Sequence, residues 1–575
     1  MTILAGVFRH DRQPVDEGWR RSLVGALSRD PRDVPQVIDR PGLLMAKVDV
    51  GVLGAPAFID DGNAAIGAGE PLLGGSSAAS TRQQDLKTLL RAHVAGEGAE
   101  AFLQARGTYA AAFYDLAGHR LCLANDRLGV RTLYYARLGD CVVFATARRI
   151  LDALPFVPKR VDNGALHEWV TAEYCFENRT PYESVFMLRG GERLLADADG
   201  ARLTVDWDWA SVPDDRPVTP EAVEELYQLF VEAVDLRLKG DTAARALLSG
   251  GLDSRMIVTE LRRRGLEVRT LTLTWPRSLD AVLAEQYAAA IGTRHFMADV
   301  PRPLEYDISH YTERFLRAEA DYREVPGARP GLVWAGDGGS VCLGFVNTTP
   351  PLVEALRAGR YDEAARIHVE RKFLRLRAKL LRREERERFA GYFETRIADI
   401  LRSYGGRDPG RALQWFMMTT QERYQVSGLY ENIDLRRIEY VMPLFDAWLA
   451  AAFQRFPLDE CVGHKLYDRW MDRFPAVVRS VPWQAYAGHI ASPLPLPDAD
   501  IQWKPLSAEY HAQQRRTALA RYHAVRKAGT ERPPFVRPEM ELAAYWFTRL
   551  GHSKLAYLLD AAAAYRAWWS GRSDL

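Results

Sequence analysis

The run Leu247-Leu248-Ser249-Gly250-Gly251-Leu252-Asp253-Ser254-Arg255 constrains this chain more than any other stretch. Ala243-Ala244-Arg245-Ala246 precedes it and reads as the end of a buried strand, while Met256-Ile257-Val258-Thr259-Glu260-Leu261 follows and reads as a helix. Strand, glycine turn and helix together aim backbone N–H groups and the positive helix end at one point, where an anion is stabilised. Gly250 and Gly251 let the backbone approach a phosphate closely, and Ser249 and Ser254 add hydroxyl donors. Asp253 is the odd member, because a carboxylate beside phosphates makes sense when a magnesium ion lies between them. The stretch reads as a magnesium–polyphosphate cradle, with a serine-capped strand-to-helix turn as the plain alternative.

No lysine follows the glycines as in G-x-x-x-x-G-K-[ST], so this is not the common nucleotide loop. Ser-Gly-Gly-x-Asp-Ser resembles instead the pyrophosphate loop of the N-type ATP pyrophosphatases, which split ATP into AMP and pyrophosphate while adenylating a substrate. The resemblance implies ATP and Mg2+ as cofactors, with Leu247, Leu248, Ser249, Gly250, Gly251, Asp253 and Ser254 on the nucleotide and Asp253 on the metal.

A chain of 575 residues exceeds what one core supports, so two or three domains are expected. With 26% charged and 47% hydrophobic residues and a formal net charge of +1, the composition is that of a globular protein, and nothing points to a nucleic acid or a membrane as partner. Cys122, Cys141, Cys175, Cys342 and Cys461 show no CxxC spacing, which speaks against a zinc site or a disulfide framework. No charged-then-apolar leader and no apolar run of membrane-spanning length is visible, and the chain reads as cytoplasmic, with a homodimer left open.

From Met1 to about Trp209, short apolar strands alternate with turns: Ile3 to Phe8, Leu44 to Val50, Tyr109 to Asp115, Arg120 to Ala124 and Val142 to Thr146. The run from Gly107 to Tyr135, with Phe144-Ala145 behind it, resembles the second half of the glutaminase domain of class B asparagine synthetases. That resemblance implies an α/β protein: an N-terminal Ntn-hydrolase-like αββα sandwich (1–209), a proline-rich linker (210–220) and a doubly wound parallel-sheet ATP pyrophosphatase domain with a helical C-terminal part (221–575). The glutaminase chemistry, however, needs an N-terminal cysteine. The chain begins Met1-Thr2, has no cysteine before Cys122 and lacks the family's glutamine-binding motifs. A scaffold without glutamine hydrolysis is expected, although Thr2 could in principle be an N-terminal nucleophile.

Thr219-Pro220 starts a helix whose apolar stripe is core packing. Beyond the cradle, Val268 to Thr274 reads as a strand and Ala281 to Ala290 as a helix, the alternation of a doubly wound sheet. In the family the second strand lays backbone against adenine, which puts Leu273 there; Asp280 falls at a family acidic position. A second glycine turn, Gly336-Asp337-Gly338-Gly339-Ser340, stands where family members carry Gly-acid-Gly-Ser-Asp-Glu. Gly336 is then a nucleotide contact and Asp337 a catalytic or metal-holding acid, while Ser340 replaces the aspartate that helps hold magnesium. Further on, Arg371 to Arg386 reads as a basic amphipathic helix, solvated or docking an acidic partner. Gln421-Glu422-Arg423 and Ile438 to Asp446 resemble the segments that frame the acceptor pocket. The family's catalytic lysine has no clear counterpart; Lys465 is the nearest candidate and Lys504 another. Trp546, Trp568 and Trp569 read as packing residues of the terminal helices.

The whole implies an ATP-dependent carbon–nitrogen ligase or cyclase. A small-molecule or peptide carboxylate is adenylated and then joined to an amine or ammonia, as in the β-lactam synthetases and lasso-peptide cyclases that share a silent glutaminase domain. Ammonia-dependent asparagine synthesis and a non-catalytic ATP-binding scaffold or sensor are the alternatives.

Overall fold

The structure is a computed structural model and describes residues 2–73, 80–275, 277–300, 308–485, 489–499 and 508–572. The first strand, Thr2–Arg9, shows how its half of the molecule is built. Side chains alternate across a strand, so Ile3, Ala5 and Val7 pack toward helices Glu17–Ala26 and Arg148–Ala153, while Leu4 and Phe8 face a second sheet. The strand lies inside a six-stranded antiparallel sheet, with Cys141–Ala145 on one side and Leu43–Asp49 on the other. The facing sheet is also six-stranded and antiparallel, and its centre is Tyr109–Asp115 between Asn63–Gly69 and Arg120–Asn125. Helix Arg82–Ala95 covers that sheet's outer face through Leu86, Leu89 and Leu90. Helix, sheet, sheet and helix thus form the αββα sandwich, and the strands fall where the apolar runs place them.

The third sheet is parallel, in the order Arg294–Asp299, Glu267–Thr274, Ala243–Leu247, Leu332–Trp334, Glu439–Val441. The chain leaves the central strand Ala243–Leu247, winds outward through two strands, and returns to the other flank of that strand at Leu332–Trp334. The carboxyl ends of Ala243–Leu247 and Leu332–Trp334 therefore border the point where strand order reverses, the crevice in which an open α/β sheet binds ligand. Both glycine turns open there.

The rest is helical, and among the described residues no helix is long and apolar enough to cross a membrane. Two features depart from expectation. Arg371 to Arg386 is not one helix: the helix Tyr361–Arg371 ends, Phe373 takes a left-handed backbone with φ 53°, a 3-10 turn covers Ala378–Leu380, and a short helix runs Arg383–Arg388. Charge periodicity is a poor guide here because the left-handed Phe373 breaks the helix, and Leu374, Leu380 and Leu381 are buried from separate short segments. Trp568 is buried as expected, but Trp546 is 47% exposed and does not belong to the core.

Residues before and after the stretch 210–220 are joined by ion pairs in which at least one partner is buried. Arg106 meets Asp446 at 3.1 Å and Glu232 at 2.9 Å, and Arg237 shares Asp446 at 3.2 Å. Arg29 and Arg149 converge on buried Asp434 at 2.7 and 3.1 Å. Arg131, almost fully buried, pairs with Glu439 and stacks on the Tyr430 ring at 3.8 Å. Breaking a buried pair leaves an uncompensated charge. Arg131→Met is expected to lower unfolding free energy by about 3–5 kcal/mol in chemical denaturation; a loss below about 1 kcal/mol would show that the pair is not holding the two halves together.

Candidate active site

After Leu247 the chain turns at Ser249-Gly250-Gly251 and enters helix Asp253–Arg263, whose amino end carries no side-chain cap. Asp253 and Ser254 at this end line cavities, as an anion site at a helix amino end requires. Part of the turn is tied internally: Ser249 N–H donates to Ser254 Oγ at 3.0 Å, and Gly250 N–H donates to Asp280 Oδ1 at 2.8 Å. Gly250 is thus not a free phosphate donor, as the glycine pattern implies; Asp280 uses that N–H to fix the turn. A Cβ on Gly250 would lie 2.8 Å from the same Asp280 oxygen. Arg255, buried, braces the turn from behind, donating to the carbonyls of Gly250 at 3.2 Å, Val481 at 2.7 Å and Pro482 at 2.7 Å.

The second turn packs on the first. A Cβ on Gly336 would lie 2.6 Å from Ser254 N, and one on Gly339 would lie 2.5 Å from the Asp253 carboxyl carbon. Asp253 is the joint between them: Ser340 N–H and Oγ–H donate to its Oδ2 at 2.9 and 2.8 Å, and Tyr467 Oη–H donates to its Oδ1 at 2.5 Å. Ser340 therefore holds Asp253 in place. Burial nonetheless raises the Asp253 carboxyl, against the pull of the Tyr467 and Ser340 bonds.

Asp337 and Glu422 share this region. Burial, reinforced by the charge of Asp253, pushes Asp337 up to about 6. Burial and then the charges of Asp337 and Asp253 push Glu422 up to about 8. Glu422 ends a π-helical turn, Met418–Glu422, set between helices Ala412–Met417 and Arg423–Glu431; Ser340 lies in another, Gly339–Leu343. Single π turns recur at functional sites.

Two adjoining cavities meet at Ser249, Asp253, Asp280 and Ser340. One, of about 350 Å³, runs past Leu247, Leu248, Leu273 and Gly336 to Asp337 and Glu422. The other, of about 230 Å³, continues past Gly251 to His464, Tyr467 and Trp483. The sequence candidates Leu247, Leu248, Ser249, Gly251, Asp253, Ser254, Leu273, Gly336 and Asp337 are brought together on these walls, with Gly250 in the turn behind. Lys465 is not: it is exposed, and its Nζ donates to the Asp459 carbonyl at 2.9 Å. Lys504 lies outside the described residues. No lysine or arginine lines either cavity among the described residues. Tyr467 and His464 escape a reading of the sequence because nothing local distinguishes them from core aromatics.

The Glutamine amidotransferase domain model matches residues 74–207 and the Asparagine synthase model matches residues 225–317. Both halves occur here in one order, on the αββα sandwich and on the cradle-bearing sheet. The chain is similar to the class B asparagine synthetase superfamily. Among its relatives, a putative glutamine-hydrolysing asparagine synthetase of Methanocaldococcus jannaschii is 26% identical over 160 residues, which are 27% of this chain and 31% of that protein. A glutamine-hydrolysing asparagine synthetase of Bacillus subtilis is 24% identical over 36% of this chain and 33% of its own. An amidase of Gibberella zeae, chry2, is 26% identical over 38% of this chain and 34% of its own. The matches thus span about a third of each of these relatives.

The raised carboxyls give a pH signature. A group whose folded pKa exceeds its unfolded value adds stability fully present below the unfolded pKa and lost as pH rises through the folded one. Glu422, from an ordinary 4.5 to about 8, spans the range from below pH 5 to above pH 8. Glu422→Gln is expected to melt near the native temperature at pH 5 and above it at pH 8.5. Parallel melting curves across that range would show that Glu422 holds no extra proton.

Proposed function

We propose that the chain is an ATP-dependent amide-forming ligase or cyclase, in which a substrate carboxylate attacks the α-phosphorus of ATP and an amine then displaces AMP from the acyl-adenylate. The observation that carries this is the meeting of the two cavities at Asp253 and Ser249: one holds space for a polyphosphate at an uncapped helix end, the other for a nucleoside and a second substrate beside buried acids. Glycines whose added Cβ would collide with the opposite turn let the two turns pack directly on each other beside the cavities. Asp253 and Asp337 suit Mg2+, which takes one or two carboxylates and completes its shell with phosphate and water, and whose charge would stabilise the departing pyrophosphate. Among the described residues no group of three His, Cys, Asp or Glu side chains is spaced to hold a metal alone.

The protein's own groups divide the work. The amino end of helix Asp253–Arg263 and the Ser249 hydroxyl stabilise phosphate charge as it develops. Glu422, with its raised affinity for a proton, is placed to take the proton from the attacking amine, near the pH at which a base is most effective. Confinement in one cavity supplies proximity. Glutamine is not the nitrogen source in this reading: Thr2 donates to Asp49 at 2.6 Å, accepts from buried Arg82 at 2.8 Å, and is itself buried. The absence of a lining cation among the described residues favours one competing reading, a non-catalytic ATP-binding scaffold.

Magnesium with a non-hydrolysable ATP analogue is expected to raise the melting temperature of the native protein, since a ligand of the folded state stabilises it, and to leave Asp253→Ala unmoved. Native protein that is not stabilised would sink the nucleotide site altogether. Substrate-dependent release of AMP and pyrophosphate then separates ligase from scaffold: Glu422→Gln is expected to keep carboxylate-dependent ATP–pyrophosphate exchange while losing about 100-fold or more in amide formation. Equal loss of both would remove Glu422 from the second step.

A further inference from the structure

The polyphosphate cavity has no lysine or arginine on its wall among the described residues; two polar side chains there, Gln484 and His464, have no assigned work, and His464 is the one held by a left-handed backbone. Its backbone is left-handed, φ 65° and ψ 21°, directly after Gly463 at φ 74°. Non-glycine residues held this way are uncommon, and they concentrate where the surroundings need a side chain in one place. Phe345, which follows the Gly344 against the ring, is left-handed as well, at φ 55°.

The ring is pinned on three sides. Its Nε2–Cδ2 edge lies on Gly344, where an added Cβ would be 2.6 Å from Nε2 and 3.1 Å from Cδ2. One face stacks on Tyr467, the residue that holds Asp253, with centroids 5.2 Å apart and planes at 29°. The His489 ring lies 4.3 Å away at 54°. Nε2 is buried with no hydrogen-bond partner among the described residues. A proton on that nitrogen would be a buried donor without an acceptor, which is costly, so the neutral ring carries its proton on Nδ1. Nδ1 belongs to the opposite edge of the ring, away from Gly344, and His464 lines the cavity that also holds Ser249, Gly251, Asp253 and Ser340.

We propose that His464 is a pyrophosphate-binding residue, whose Nδ1–H donates to a phosphate oxygen in the cavity beyond Asp253, from a ring locked by Gly344 and Tyr467. This rests on the ligase reading and deepens it: a neutral, preorganised donor does at the pyrophosphate end what a lysine or arginine does elsewhere, and it leaves the cation requirement to the metal.

The test is calorimetric titration of the full chain with inorganic pyrophosphate and Mg2+, and separately with AMP, for the native protein, His464→Gly and His464→Asn. Glycine suits the left-handed backbone and deletes the donor; asparagine tolerates that backbone and places an amide N–H near the position of Nδ1. His464→Gly is expected to bind pyrophosphate about tenfold or more weakly, in line with one hydrogen bond to a charged group, with AMP affinity and melting temperature maintained. His464→Asn is expected to stay within about threefold of native, the donor being restored. Native-like pyrophosphate binding by His464→Gly, or binding by His464→Asn as weak as that of the glycine variant, would overturn the assignment. Native protein that binds neither pyrophosphate nor AMP would overturn the ligase reading itself, a distinct result.

Discussion

The site depends on a pairing remote from any reacting atom: Arg131, buried in the αββα sandwich, against Glu439 in the edge strand Glu439–Val441. That strand pairs with Leu332–Trp334, which runs directly into the Gly336 turn. The strand that delivers Asp337 is therefore positioned between the central strand on one side and a strand anchored to the other half of the molecule on the other. Past the edge strand the chain makes the turn Pro443–Phe445 and reaches Asp446, which is fixed by Arg106 and Arg237. Even a sandwich that performed no chemistry of its own would have a physical reason to persist, because buried charges on both sides of the interface need each other.

Asp253 plays the corresponding part within the site. Its carboxylate gathers the two glycine turns through Ser340 and a later helix through Tyr467, so three segments far apart in sequence converge on two oxygen atoms. The same burial that makes these bonds strong makes the charge costly, and it spreads to Asp337 and Glu422 as raised proton affinity. Among the described residues the cavity walls thus carry buried acids and no lysine or arginine, so they favour a positively charged occupant.

Much of this is legible in the residues themselves. The cradle, the β-α-β alternation and the paired strands follow from glycine placement and apolar periodicity, which are local signals. What the sequence conceals depends on where a helix turns. Lys465 and Tyr467 are two residues apart, about 200° around a helix, so the structure sends the lysine to solvent and the tyrosine to Asp253. Glu422 can be named from its neighbours, but its proton affinity comes from burial together with Asp337 and Asp253, distant in the chain. The stretch after Arg371 has the charges and apolar spacing of a helix, and the break at the left-handed Phe373 carries no signal in that pattern.

The π turn at Met418–Glu422 has a consequence for comparison with relatives. A π turn holds one residue more than the α turn it replaces, so the flanking helices Ala412–Met417 and Arg423–Glu431 keep their own core-facing sides while the phase between them slips by one position. Any alignment forced through this helix without a gap will match the wrong residue to Glu422 on one side of the slip. A relative with an ordinary α-helix here, one residue shorter, would present a different side chain to the cavity that Glu422 lines.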